Sequence, residues 1–448
     1  MRRHGLEWWQ LFTEIPKREK DPLGTIRRWH ALYGPRVRIP VRSPASWSLT
    51  DPEDIRHVLV TNNMNYRKVG WLTLGRRFLG DGLLTSAGTL HRHQRSVLQP
   101  SFHRSEIQKS ADTIVQEIDR TISSWKDGET VNISHEMARL TLGAVGQSFF
   151  QRSFRDVADE LLEAFLTCQR FMARWSSFLP ESFPTPKTIR YHRATATIDR
   201  IIDDLMSAPR PGGFLSGLLA ARGIDGKPMS RQLIRDEIVT ILWAGHETAC
   251  NALEWGWYLL SRHPDIESRL HQEVDNVLEG RAPSIESVPH LKYTDMVFAE
   301  ILRMYPPAWI LARWAIGEDE LSGGMRLPEG SILFISPYAI HHDPRWFPDP
   351  DTFDPERFDS ARRTERPSLS YIPFGAGQRV CIGEHFGRLE GVLVLARIAQ
   401  RFRLMPIQGQ RVTPEPLLTL RMKQDLTLAV QQRRLRKSIA PYLHTTAS

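Results

Sequence analysis

The spacing of apolar and polar positions divides the chain into a strand-bearing beginning and a largely helical remainder. Residues 36–41 (Arg-Val-Arg-Ile-Pro-Val) and 46–50 (Ser-Trp-Ser-Leu-Thr) are short runs bounded by proline or glycine, a pattern that predicts a small sheet. From about Ser105 apolar residues recur at intervals of three and four, predicting helices over 107–125 and 156–174. The longest such pattern starts near Ser230 and stops at His263-Pro264. At 1.5 Å per residue it is roughly 50 Å long and must cross the molecule. Its middle, 238–252, is mostly apolar, yet Gly245, Glu247 and Thr248 are set into it, where polar groups are costly unless partnered. Further helices are predicted at 264–278 and 294–305, strands at 324–328 and 331–335, and a last long helix from or just after Cys381 to about Arg401. The fold class is therefore mainly α with a minor β-sheet portion, the sheet drawn from both chain ends.

Composition narrows this reading. With 448 residues, 41% hydrophobic and 25% charged, the chain has apolar material for a core large enough to enclose a cofactor. No linker, repeat or low-complexity tract divides it, so one unit over 1–448 is expected, with an N-terminal segment over 1–30 and a basic tail over 431–448. Glu7 and Gln10 interrupt what would have to be the apolar stretch of a secretory signal. No run of about 18 apolar residues offers a spanning helix. A cytoplasmic monomer without a transmembrane segment is expected, although Trp8, Trp9, Leu11 and Phe12 could graze a membrane surface. The formal charge of +8 does not argue for nucleic acid, because Lys and Arg are scattered apart from Arg433, Arg434, Arg436 and Lys437; a solvated surface or a patch for an acidic electron donor fits better. Three cysteines, Cys168, Cys250 and Cys381, cannot build a disulfide framework and suit a reducing compartment with one functional thiol.

That thiol is placed by the segment Tyr371-Ile-Pro-Phe374-Gly375-Ala-Gly377-Gln-Arg379-Val-Cys381-Ile-Gly383, a glycine-rich loop delivering a cysteine to the start of a helix. Free backbone N–H groups and the positive helix end would lower the thiol pKa, as a permanent metal ligand requires. Gly375, Gly377 and Gly383 would let a large flat group approach the backbone, and Phe374 could shield the sulfur from water. Cys168 and Cys250 read as core thiols, and the remaining histidines, His341-His342 included, as surface or loop residues.

The segment resembles the haem-binding signature of the cytochrome P450 family, Phe-x-x-Gly-x-Arg-x-Cys-x-Gly, at Phe374, Gly377, Arg379, Cys381 and Gly383. The resemblance runs in motif order from the Gly34-Pro35 region to the strands near 425–430. It implies a single P450-type fold holding haem b between the long central helix and the cysteine-loop helix, with Cys381 as axial ligand to iron. Glu300 and Arg303, at i and i+3 on one helix, and Arg357 in Pro355-Glu-Arg-Phe would form a buried ion triad supporting the loop. Ala244-Gly245-His246-Glu247-Thr248 matches the family's oxygen-activation pattern. There Ala244 and Thr248 share a face, Gly245 opens a groove for O2, the Thr248 hydroxyl bonds the distal oxygen and Glu247 relays protons. In isolation the same segment also reads as a glycine-marked kink with a threonine bonded back to its own helix. The haem carboxylates would be met by His91, Arg95, Arg313 and Arg379, His91 standing where many members carry tryptophan.

The activity so implied is insertion of one oxygen atom from O2 into a small apolar substrate, by hydroxylation or another oxidation. Terpenoids come first, and fatty acids or other lipids second. Electrons would come from a separate ferredoxin- or flavodoxin-type donor with its NAD(P)H reductase, since no flavin-binding segment follows Val430. Two alternatives are a haem-thiolate peroxygenase, which would not need Glu247 and Thr248, and a non-catalytic haem sensor, which would need no oxygen groove. The pocket walls should come from 66–86, 165–183, the long helix, 308–312 and 416–420.

Overall fold

The computed structural model describes residues 5–10, 13–14, 17, 20–40, 46–69, 71–172, 184–210, 213–363 and 365–434. Leu11 and Phe12, the end of the first expected strand at Val41, the 173–183 part of the expected pocket wall, and Arg436 and Lys437 lie outside the described residues. Helix dominates, as the periodicity predicts, and no described helix is long and apolar enough to cross a membrane.

The long helix is Arg231–Arg262. The Ser230 hydroxyl opens it by accepting from Leu233 N at 3.2 Å. Pro264 closes it, because the residue before a proline avoids the helical region and His263 sits at φ −125, ψ 76. It packs along the helix Ile133–Phe150 and touches the helices Lys292–Met304 and Glu384–Arg401. Glycines permit the tight crossings: a Cβ on Gly256 would come within 2.7 Å of Ile301, and one on Gly391 within 2.3 Å of Phe298. These helices share one large apolar core that runs from Phe78 to Val430.

The β structure is distributed over four sheets rather than gathered in one. The largest has the spatial order Arg36–Ile39, Ser46–Leu49, Ile332–Ile335, Leu311–Ala315, Tyr66–Lys68, with only the pair Ser46–Leu49 and Ile332–Ile335 parallel. It joins early and late chain, as expected. A second sheet sets Thr427–Gln432 between Thr130–Asn132 and Phe402–Pro406, and two hairpins complete the set.

Several boundaries differ from the periodic reading. The 107–125 pattern breaks into Arg104–Gln108 and Ala111–Ile122, because Lys109 and Ser110 close tighter bonds to the carbonyls three residues back. The 1–30 segment ends inside the helix Pro22–Tyr33, and the 431–448 tail begins too early. Gln431 and Gln432 are paired strand residues, and Arg433 is held by Asp275 at 2.7 Å. The helix Ile133–Phe150 gave no periodic signal, since apolar residues lie nearly all around it. His341 and His342 are corrected from surface or loop to interior: His341 ends the short helix Pro337–His341 and both rings are buried.

Candidate functional site: a thiol among unneutralised cations

The loop before Cys381 is tied by its own backbone. Gly375 N donates to Ile372 O, Val380 N to Gly377 O, and Cys381 N to Phe374 O at 2.9 Å. Gly375 and Gly377 hold φ of 74 and 69, conformations that glycine adopts without strain. Gly377 has a second constraint, since a Cβ there would lie 1.8 Å from Leu59 O. Its lack of a side chain thus lets the loop touch the N-terminal part of the fold, not a flat ligand as the sequence reading had it. Gly383 does face the sulfur, its would-be Cβ 3.9 Å from Cys381 Sγ. The Phe374 ring is partly buried and capped by the Arg388 guanidinium at 5.4 Å.

Cys168 and Cys250 are buried core thiols, whereas Cys381 presents surface. Burial nonetheless pushes the Cys381 thiol up; the Gly383 N–H, Arg95 and Lys68 act against this and Glu384 adds to it. The expected lowering by a helix end is therefore overridden in the protein alone. The helix begins only at Glu384, whose carboxylate sits in its first turn.

Around the thiol the chain gathers cations. Arg95 donates to Val380 O at 2.8 Å, Arg379 to Ser86 O at 2.9 Å, and Arg313 to Ala312 O at 2.9 Å. Lys68, which the sequence reading missed, donates to Leu84 O at 2.9 Å. His91, in the middle of the helix Gly88–Leu98, is buried beside them. Burial and mutual repulsion push Arg379 down to about 10 and His91 to about 3, burial alone takes Arg313 to about 10, and Lys68 falls well below its ordinary value. Among the described residues no carboxylate pairs with any of the four cations. Arg313 is buried and Lys68, Arg95 and Arg379 are partly buried; cations so withdrawn from water without an anion are costly, so the cradle suits a ligand carrying negative groups. Two haem propionates fit it by charge, number of donors and proximity to a free thiol.

The ion triad is assembled as expected. Arg303 donates to both Glu300 oxygens at 2.6 and 2.7 Å, and Arg357 Nε lies 3.5 Å from Glu300 Oε1. Arg303 also donates to His341 O and Pro350 O, while Asp354 N donates to Glu300 Oε1. The link to the cysteine loop runs through His341, a second missed residue. Its Nε2 accepts from Ile372 N at 2.9 Å, and burial, with His342 and Arg303 nearby, keeps the ring neutral.

On the long helix every residue from Asp236 to Trp257 is buried except Ala244, Gly245 and Thr248. Three of the four positions singled out for oxygen chemistry are the ones with surface, and the fourth, Glu247, is buried. Thr248 Oγ1 donates to Ala244 O at 2.8 Å, the back-bonded alternative. A Cβ on Gly245 would come within 2.8 Å of Val145, which gives this glycine a packing role toward the helix Ile133–Phe150. Glu247 is buried and accepts from Asn251 Nδ2 and Thr419 Oγ1 at 3.1 and 2.9 Å. Burial alone would raise its carboxyl; His246, Arg421 and neighbouring donors outweigh that and hold it below the usual value.

The family model described as Cytochrome P450 matches residues 4–428. Cyclooctatin synthase of Streptomyces melanosporofaciens is 39% identical over 82% of this chain and 83% of its own length. Cyclooctat-9-en-7-ol 5-monooxygenase of the same organism is 36% identical, covering 84% of each chain. Pentalenene oxygenase of Streptomyces avermitilis is 33% identical over 90% of this chain and 91% of its own. Among solved structures, the haem domain of a cytochrome P450DA mutant superposes with a TM-score of 0.83 at 25% identity, covering 94% of this chain and 95% of that one.

Proposed function

From the premise that the chain belongs to the cytochrome P450 family, oxidoreductases that carry haem b and incorporate one oxygen atom of O2, we propose that it oxidises a terpenoid with electrons from a separate acidic donor protein. The names of three relatives, two acting on cyclooctatin-type compounds and one on pentalenene, support a terpenoid. The observation that carries the site assignment is the buried cation cradle beside Cys381 that no protein carboxylate neutralises.

In this reading the Cys381 sulfur would ligate the iron, and Lys68, His91, Arg95, Arg313 and Arg379 would hold the propionates. Haem b, when bound, supplies the iron at which O2 is activated, and a thiolate ligand favours O–O cleavage. Glu300, Arg303, Arg357 and His341 keep the loop at its height. The Thr248 hydroxyl, which donates to Ala244 O, would be free to turn and donate toward the O2 site, and Glu247 behind it would accept and return protons. Glu247 and Thr248 together speak against a peroxide-driven enzyme, which would have no proton to deliver. Exposed Arg92 and Arg104, on the helix carrying Arg95 and on the next one, suit an acidic electron-transfer partner.

Cys381→Ala abolishes the red-shifted carbon monoxide band of a ferrous thiolate haem; a band that persists refutes the ligand. An optical titration of the ferric protein with terpenes, diterpenoid acids, steroids and fatty acids tests the substrate, the terpenoid reading requiring a high-spin shift with terpenoids at lower concentration than with fatty acids.

A further inference from the structure

Glu247, Asn251 and Glu254 follow one another at intervals of four and three along the long helix and so share one face. All three are buried, at 9%, 4% and 4% exposure. Against this face lies the hairpin of Pro414–Pro416 and Leu420–Met422, which contributes Glu415, Thr419 and Arg421. Thr419 Oγ1 and Asn251 Nδ2 both donate to Glu247 Oε1, and Asn251 donates to Thr419 as well. Arg421 Nε lies 3.8 Å from Glu415 Oε2, and its guanidinium acts on both Glu247 and Glu254.

One fixed cation thus serves three carboxylates. The other base nearby is His246, 3.9 Å from Glu247, and burial disfavours its charged form. From the helix Ile133–Phe150 only the uncharged Ser134 reaches Glu254; from the long helix Cys250 Sγ approaches it at 3.4 Å. With Glu415 at the partly exposed rim, ionising Glu247 and Glu254 together sets two buried carboxylates against one shared guanidinium, which is unfavourable. At least one acid keeps its proton. Glu247 accepts two hydrogen bonds that favour its carboxylate, whereas Glu254 has a weak thiol donor and a hydroxyl. Burial accordingly pushes Glu254 up to about 7.

We propose that Glu254 is the second acid of the proton supply, a positioning residue that stores a proton beside Arg421 and yields it to Glu247. This rests on the monooxygenase reading. The proton leaves the Glu254 carboxyl and reaches the Glu247 carboxylate through the Thr419 hydroxyl and water, over a rise of about 10 Å for seven helical residues. Glu254, now ionised, shares Arg421 and is reprotonated from solvent at the hairpin edge, where Arg421 and Glu415 are 17% and 24% exposed. The charge around Arg421 is unchanged in the transfer itself, since one acid loses the proton that another gains.

The test is Glu254→Gln, which has the shape of the protonated acid. Infrared difference spectra between acid and alkaline pH, taken with and without haem, show in the wild type a protonated-carboxyl band that titrates near 7, and the variant lacks it. With haem and a ferredoxin donor, wild-type product per NAD(P)H falls as pH rises through 7. Glu254→Gln is about tenfold lower and flat with pH, and Glu254→Asp restores the slope. A wild type without the band, a band that survives in Glu254→Gln, or superposed pH profiles overturn the proposal. Should Glu254→Gln fail to accumulate, Arg421→Gln must move the band to higher pH, and an unmoved band overturns it equally. A wild type that binds haem but turns nothing over strikes the monooxygenase reading, and the infrared band then decides Glu254 alone.

Discussion

Two buried ionic clusters flank the cysteine loop, and they are built on opposite principles. Glu300, Arg303 and Arg357 form a closed one. The carboxylate is met by two guanidinium groups and the Asp354 N–H, and the guanidinium groups are met by carbonyls of His341, Pro348, Asp349, Pro350 and Thr352. Lys68, Arg95, Arg313 and Arg379, with His91, form an open one, each cation holding a single carbonyl and no acid. Glu300, Arg303 and Arg357 are all buried, whereas in the open cluster Arg313 and His91 are buried and Lys68, Arg95 and Arg379 keep some surface. The difference is charge balance, since Asp354 Oδ2, 4.0 Å from Arg357 Nε, supplies the closed cluster with a second carboxylate for its two guanidinium groups: a cluster neutral on its own holds the chain, and one that is not suits a charged ligand.

This contrast can be broken by substitution. Glu300→Ala strands two buried guanidinium groups and costs about 3–5 kcal/mol, so soluble, haem-loaded protein nearly disappears; normal yield and an unchanged melting curve would refute closure. Arg313→Met acts in opposite directions on the two states. The haem-free chain gains about 1–2 kcal/mol by shedding an unpaired cation, while haem is lost roughly tenfold faster on transfer to apomyoglobin. Destabilisation of both states by equal amounts would place Arg313 with the closed cluster. His341→Leu leaves the Ile372 N–H unsatisfied and costs about 1–3 kcal/mol, measured by denaturant unfolding, whereas His341→Gln, which can still accept, recovers part of it.

A buried acid outside both clusters serves as control. Glu237 is fully buried, accepts from Leu83 N, and is pushed up to about 8 by burial. Its proton is bound more tightly folded than unfolded. Its contribution is fully present below 4.5 and is lost as pH rises toward 8. Glu237→Gln therefore has little effect on stability at pH 5 and is the more stable form at pH 9. Parallel pH curves for the two proteins would show that Glu237 does not titrate in this range.

Local signals were readable and long-range ones were not. The cysteine loop, the Glu300-x-x-Arg303 pair and the long helix each lie within a short window, where spacing alone limits the chemistry. Cys381 and Arg379 lie within that loop, whereas His91, Arg95 and Arg313, distant in sequence, came only from the resemblance; the structure places His91 and Arg95 near Arg379, and Arg313 near it as well. Lys68 carries no mark in the strand Tyr66–Lys68, because what makes it a cradle residue is the approach of Arg313 and Arg379, hundreds of positions away. His341 looked like half of a surface pair, since nothing local foretells that Ile372 needs an acceptor. The glycines carry constraints of the same kind: side chains at Gly377 and Gly245 would meet Leu59 and Val145, partners that a one-dimensional pattern does not contain.

The contact of Gly377 with Leu59 has a consequence for how the molecule is made. The cofactor cradle is assembled from Lys68 in the early chain, Arg313 in the late chain and the loop that ends at Cys381. A ribosome delivers these pieces in order, N-terminus first. For most of its synthesis the nascent chain therefore exposes a half-built, positively charged hollow that nothing can occupy productively. Capture of a cofactor there becomes a late event, possible only once the loop that ends at Cys381 has emerged.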